Sequence, residues 1–155
     1  MKNLFVIAGL ESEYKNTIAH NLSLQYNACY IEEYSAETII KFLNDNFNSY
    51  NNIVVNGYNL SHKERKTFEK INCHKTLVLV FDDPRQIIKE NKITINDYLI
   101  DFYETPTGEN FWDEKLMFRN VFDNDWFNSD YYWEKINKYR YAYLFDLIFP
   151  NSVLT

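Results

Sequence analysis

Gly9 and Lys15 stand at the spacing that phosphate chemistry asks for. They lie in "GLESEYKNT", which follows the apolar run Leu4 to Ala8 and opens a stretch with helical periodicity. A phosphate-binding loop reads Gly, four residues, Gly-Lys, then Ser or Thr. Its backbone N–H groups cradle phosphate oxygens, its lysine reaches the terminal phosphates, and its hydroxyl ligates Mg²⁺. Here Tyr14 takes the second glycine's place and Asn16 the hydroxyl's, with Thr17 one position late. A ring at Tyr14 is expected to crowd the pocket or turn away and distort the loop, because glycine permits backbone conformations that a β-carbon resists. Asn16 offers only an amide oxygen to a metal. The candidate nucleotide-binding residues are Gly9, Lys15, Asn16 and Thr17.

Such a loop needs a strand before it and a helix behind it, and the first 91 residues supply that alternation about four times. "NLFVIAG", "ACYI" (28–31), "NIVVNG" (52–57) and "KTLVLVF" (75–81) read as strands. Residues 14–25, 35–47, 61–71 and 83–91 read as helices. Ser35 is placed as an N-cap, Ser61 and Glu64 form a capping-box pattern, and Pro84 fits a first turn. The strands are continuous apolar runs, the mark of strands buried on both faces. The expected fold is α/β, a doubly wound parallel sheet. Ligands in such sheets sit beyond the carboxyl ends of the strands, where Gly9 to Thr17, Glu32 to Tyr34 and Asn56 to Asn59 converge.

The last third differs. After "TPTGEN" (105–110), half of the aromatic residues fall between Phe111 and Phe149, with all three tryptophans among them. Two helices are expected there, about 112–122 and 130–147. The domain reading is a 1–104 α/β core and a 105–155 aromatic, acidic helical extension packed on it. Trp112, Trp126 and Trp133 are the candidate partner-binding anchors, since Trp and Tyr are favoured at interfaces. Packing of these rings into the core is the competing reading.

Composition narrows the function classes. A net charge of −6 opposes diffuse binding to a nucleic-acid backbone, which needs cations. "KERK" (63–66) reads as a solvated helix face. Cys29 and Cys73 read as reduced packing residues, and His20, His62 and His74 lack metal-ligand spacing; no metal site is expected. No apolar run approaches transmembrane length, so a cytoplasmic protein is expected, in the host cytoplasm if the source is viral.

Residues 2–103 resemble the kinase domain of phage polynucleotide 5′-kinase and its relatives among small P-loop kinases. "NGYNLSHKERKTFEKI" carries the resemblance most specifically, with "FDDPRQIIKENKITINDYLIDFYE" in support. The resemblance implies ATP and Mg²⁺ as cofactors and a polynucleotide 5′-end as acceptor. It also implies Glu32, in "EEY", as general base and Arg65 as the cation for the acceptor phosphate or transition state. The family's acid at the end of the third strand aligns with Gly57, and the lid-side stretch from Asn91 to Glu109 holds no arginine. Phosphoryl transfer rests on positioning and charge neutralisation, and losing one such donor costs about 2.7–4 kcal/mol.

The sequence therefore predicts a phage-type, kinase-like protein without efficient phosphoryl transfer. It would act by binding a protein partner or a nucleotide, with weak anion affinity left at Lys15, and homo-oligomerisation through the aromatic tail is also open. The alternatives are an active kinase of a nucleoside, nucleotide or polynucleotide 5′-hydroxyl, and a structural subunit of a larger assembly.

Overall fold

The computed structural model describes residues 1–83, 85–87, 104–120 and 134. In chain order they form β1 (Asn3–Ala8), α1 (Glu13–Gln25), β2 (Cys29–Glu32), α2 (Ala36–Asp45), β3 (Asn52–Asn56), α3 (His62–Lys66), β4 (His74–Asp82) and β5 (Glu114–Asn120). All pairings are parallel, in the order β2-β3-β1-β4-β5. The doubly wound α/β sheet is therefore as expected.

Alternation along β1 divides the core in two. Leu4, Val6 and Ala8 face Ile39 and Leu43 of α2, with Leu60, Phe68 and Trp112, while Phe5 and Ile7 face Ala19 and Leu22 of α1. Two apolar faces on one strand require helices on both sides, which is why the strands read as unbroken hydrophobic runs. The chain leaves β1 toward β2 but leaves β3 across β1 toward β4. The loops after β1 and β3 therefore part in opposite directions and open a crevice between them.

The caps are where the residues place them. Ser35 Oγ accepts the Thr38 N–H, and Ser61 and Glu64 make a reciprocal capping box. α3 is shorter than the 61–71 expected. Thr67 Oγ1 donates to the Glu64 carbonyl at 2.7 Å, and the next backbone bonds run to i−3, Phe68 to Arg65 and Glu69 to Lys66. A threonine bonding back in this way competes with the α-helical ladder.

The helix expected at 112–122 is a correction: residues 114–120 form β5, paired with β4 from Thr76–Glu114 to Asp82–Asn120. Glu, Lys, Leu and Met favour helix locally, but the open edge of β4 offers a full ladder, and tertiary pairing overrides propensity. Apart from Glu134, which is helical, the helix expected at 130–147 lies outside the described residues.

Candidate functional site

Gly9 follows β1 in a conformation that only glycine takes comfortably. Its φ is +151°, and a β-carbon there would sit 2.4 Å from the Val80 carbonyl oxygen. Its N–H donates to the Tyr58 carbonyl at 3.0 Å, tying the loop after β1 to the loop after β3. Ser12 then N-caps α1, its Oγ accepting the Lys15 N–H at 3.1 Å. That N–H is one a phosphate-binding loop would offer to an oxyanion.

Lys15 is fully buried. Its Nζ donates to the Gly57 carbonyl at 2.6 Å and lies 5.6 Å from the centre of the Tyr58 ring. Burial lowers its amine to about 7, while the nearby Glu11 and Glu32 carboxylates oppose that fall. Near pH 7 the amine is thus divided between charged and neutral forms. Above it, Tyr34 packs on Tyr58 with ring centres 4.5 Å apart. The Tyr34 hydroxyl lies 2.7 Å from Glu11 Oε2 and 3.2 Å from Glu32 Oε1. Burial, then hydrogen bonding to Glu11, raises this phenol far above its ordinary value. Two carboxylates and two phenols therefore crowd the mouth of the crevice.

At Gly57, the position where the resemblance implies an acid, the structure leaves no room for a side chain. A β-carbon at this residue would lie 2.7 Å from the Glu33 carbonyl oxygen, so no side chain fits without a backbone shift. The adjacent Asn56 is wholly buried, and its Nδ2 donates at 2.9 Å both to Asn16 Oδ1 and to Tyr30 Oη. Asn16 Oδ1, the oxygen expected to face a metal, is thereby engaged as an acceptor. Among the described residues, no group of three or more His, Cys, Asp or Glu side chains is arranged to hold a metal.

The remaining candidates separate. Tyr14 packs against the core on the α1 face of the sheet and lines a cleft of about 300 Å³ with Thr17, Asp82 and Asn120, whereas the Lys15 amine reaches Gly57 and Tyr58. Burial, then Asp82, raises its phenol. The tyrosine thus spares the pocket rather than filling it, and exposed Thr17 goes with it to the β4–β5 side of α1. Of the nucleotide-binding set, Gly9, Lys15 and Asn16 are gathered at the crevice and Thr17 is not. Glu32 lies at the crevice beside Tyr34.

Arg65 does not reach the crevice, which corrects its expected catalytic role. It is fully buried, with Nε donating to Glu109 Oε1 at 2.9 Å and Nη2 to Glu109 Oε2 at 2.8 Å. Nη1 donates to the Asn59 carbonyl and Nη2 also to the Glu104 carbonyl. Every guanidinium nitrogen is bound inside the protein, leaving none to meet a phosphate. Trp112 is corrected likewise: it is buried against Phe68, and its Nε1 donates to Glu109 Oε1 at 2.9 Å, so it is a core residue and not a surface anchor. Trp126 and Trp133 lie outside the described residues. Sequence reasoning missed Glu11 and Glu109. Glu11 lies within the loop motif itself, but nothing local marks Glu109, which is 44 residues from its arginine.

No protein-family profile matches the chain, and no curated protein does. Solved structures do. A gluconokinase from Sinorhizobium meliloti superposes with a TM-score of 0.55 over 97% of this chain and 98% of its own, at 14% identity. An unliganded sugar kinase from a Janibacter species gives 0.56 over 90% and 94%, at 9% identity. Likeness at such identities is one of fold, and the fold is that of the P-loop kinases. Among the described residues no helix is long and apolar enough to cross a membrane.

Proposed function

We propose that this chain is a kinase-fold protein that has given up efficient phosphoryl transfer and acts by binding, with a protein partner as its principal ligand. The observation that carries the reading is the state of Lys15. Its ammonium group is turned onto the Gly57 carbonyl under Tyr58, with Glu11 and Glu32 at the mouth where triphosphate oxygens would enter. Carboxylates there repel the anion that the loop geometry would otherwise attract. The arginine that would assist transfer is locked to Glu109. The run from Asn56 to Ile71 supports phage polynucleotide 5′-kinases as the relatives from which the function departed, and the acidic, aromatic composition beyond Thr105 supports a basic protein as partner. ATP and Mg²⁺ are not required for this role.

A second reading is an active kinase of a small hydroxylated substrate or a 5′-hydroxyl end. It is favoured by the Gly9–Lys15 spacing and by the sugar-kinase neighbours. Incubation with labelled ATP, Mg²⁺ and, separately, gluconate, nucleosides and a 5′-hydroxyl oligonucleotide separates the two. The binding reading expects no transfer that depends on Lys15. Robust transfer lost in Lys15→Ala would establish the second.

A further inference from the structure

Lys15 is enclosed by two tyrosines that are anchored differently. Tyr58, whose ring centre lies 5.6 Å from the amine, sits in a pinned loop. Its carbonyl accepts the Gly9 N–H at 3.0 Å, and Nδ2 of the buried Asn59 beside it donates to the Ile7 carbonyl at 2.8 Å. Tyr34 packs on the Tyr58 ring from an irregular segment, residues 33–35. There the Tyr34 and Ser35 N–H groups both donate to Glu33 Oε1 at 3.0 Å, within the segment itself. The Glu33 N–H ties the segment to the Asn56 carbonyl at 3.1 Å.

The Tyr34 side chain supplies the tie across the crevice. Its hydroxyl lies 2.7 Å from Glu11 Oε2 and 3.2 Å from Glu32 Oε1, so it joins the loop after β1 to the segment after β2. A phenol has a single proton to donate, and two carboxylate oxygens share it. The ring adds its contact with Tyr58, 4.5 Å between centres. Tyr34 is 40% exposed, whereas Lys15 is wholly buried. A contact on the solvent side, between two irregular segments, is one that opens locally while the sheet stays folded. Behind it stands unused capacity for an oxyanion. The Lys15 ammonium can donate three hydrogen bonds and, among the described residues, makes one, to the Gly57 carbonyl.

We propose that Tyr34 is an autoinhibitory latch: held by Glu11 and Glu32 and packed on Tyr58, it keeps the crevice shut over Lys15 against oxyanions such as polyphosphate. With the latch open, the two carboxylates are released from the mouth and the amine is uncovered. The inference deepens the reading given above and rests on it, namely that oxyanions do not reach Lys15 in the resting chain. It adds that the exclusion is conformational and is lifted at one side chain, not set by charge alone.

Acetylation of the native full chain by acetic anhydride, read lysine by lysine by mass spectrometry, reports the latch. In the wild type, Lys15 should react far more slowly than the exposed Lys63 and Lys66. Tyr34→Phe keeps the ring and loses the hydroxyl. It should speed Lys15 roughly two- to tenfold, the shift that one hydrogen bond of ordinary net strength gives to a local opening. Tyr34→Ala should speed it further. Lys75 is the control for fold. It is buried at the opposite edge of the sheet, its Nζ donating to the Ile71 carbonyl at 2.6 Å, and should stay slow in every variant. Calorimetry with tripolyphosphate completes the test: Tyr34→Ala should bind it, whereas the wild type and Tyr34→Ala/Lys15→Ala should not. Unchanged Lys15 acetylation in both Tyr34 variants, a rise shared by Lys75, or no tripolyphosphate binding by Tyr34→Ala would overturn the latch alone. Binding by the wild type that is lost in Lys15→Ala would overturn the latch together with the reading of the crevice on which it rests.

Discussion

Among the described residues two cationic side chains, Lys15 and Arg65, are wholly buried, and they are held in opposite ways. Arg65 meets a carboxylate that receives two of its nitrogens, and backbone carbonyls take the rest. Lys15 meets one carbonyl oxygen and the face of a tyrosine, with its nearest carboxylates across the crevice. A buried charge is tolerated when paired and hydrogen-bonded, and is costly otherwise. The difference teaches which of the two the fold depends on. Arg65 is part of the scaffold, whereas Lys15, at the start of α1, is paired less completely and works against stability in its charged form.

The sharpest way to break that comparison is to replace each cation by an apolar side chain of similar length. Arg65→Met leaves Glu109 buried with two of its donors gone, and removing one partner of a buried pair costs about 3–5 kcal/mol. Urea unfolding should show that loss. An Arg65 variant as stable as wild type would mean that the pair is not structural.

The corresponding test of Lys15 has the opposite sign. Its folded pKa, about 7, lies below the 10.5 of an ordinary lysine, so between these values the unfolded chain binds more protons. Stability then rises with pH across that window and the penalty is complete below it. From pH 7 to 9.5 the wild type should gain on the order of 2–3 kcal/mol. Lys15→Met should be no less stable than wild type at pH 7 and should lose the rise. Equal slopes in the two proteins would contradict the burial of an incompletely compensated amine.

Smaller effects sharpen the account of the crevice. Gly57→Ala forces its β-carbon onto the Glu33 carbonyl oxygen and should cost about 1–3 kcal/mol, read in the same unfolding experiment. A neutral outcome would show that the space beside Gly57 is not closed. Tyr34→Phe removes the hydroxyl shared by Glu11 and Glu32, and about 0.5–1.5 kcal/mol is expected. The same variant should speed amide exchange in the loop after β1, which is no longer tied to the segment after β2.

The sequence made the sheet legible because β1, β3 and β4 are apolar on both faces, and no solvated strand has that pattern. Ser35 and Ser61 were legible as caps for a local reason, a side chain bonding a backbone three residues ahead. β5 was not, since its strand character comes from the edge of β4 and not from "EKLMFRN" itself. The loop after β1 could be found from Gly9 and Lys15 alone. The fate of Tyr14 could not, because its place depends on a cleft completed by Asp82 and Asn120, far from it in sequence. Arg65 was legible as a special arginine but not as a structural one, because its carboxylate comes from a segment that local pattern does not connect to it.

Calorimetric titration with ATP, with and without Mg²⁺, tests the central claim most directly when run on wild type and Lys15→Ala in parallel. The account predicts that Mg²⁺ adds nothing to any nucleotide affinity and that the two proteins behave alike. Saturable ATP binding that requires Mg²⁺ and disappears in Lys15→Ala would contradict it.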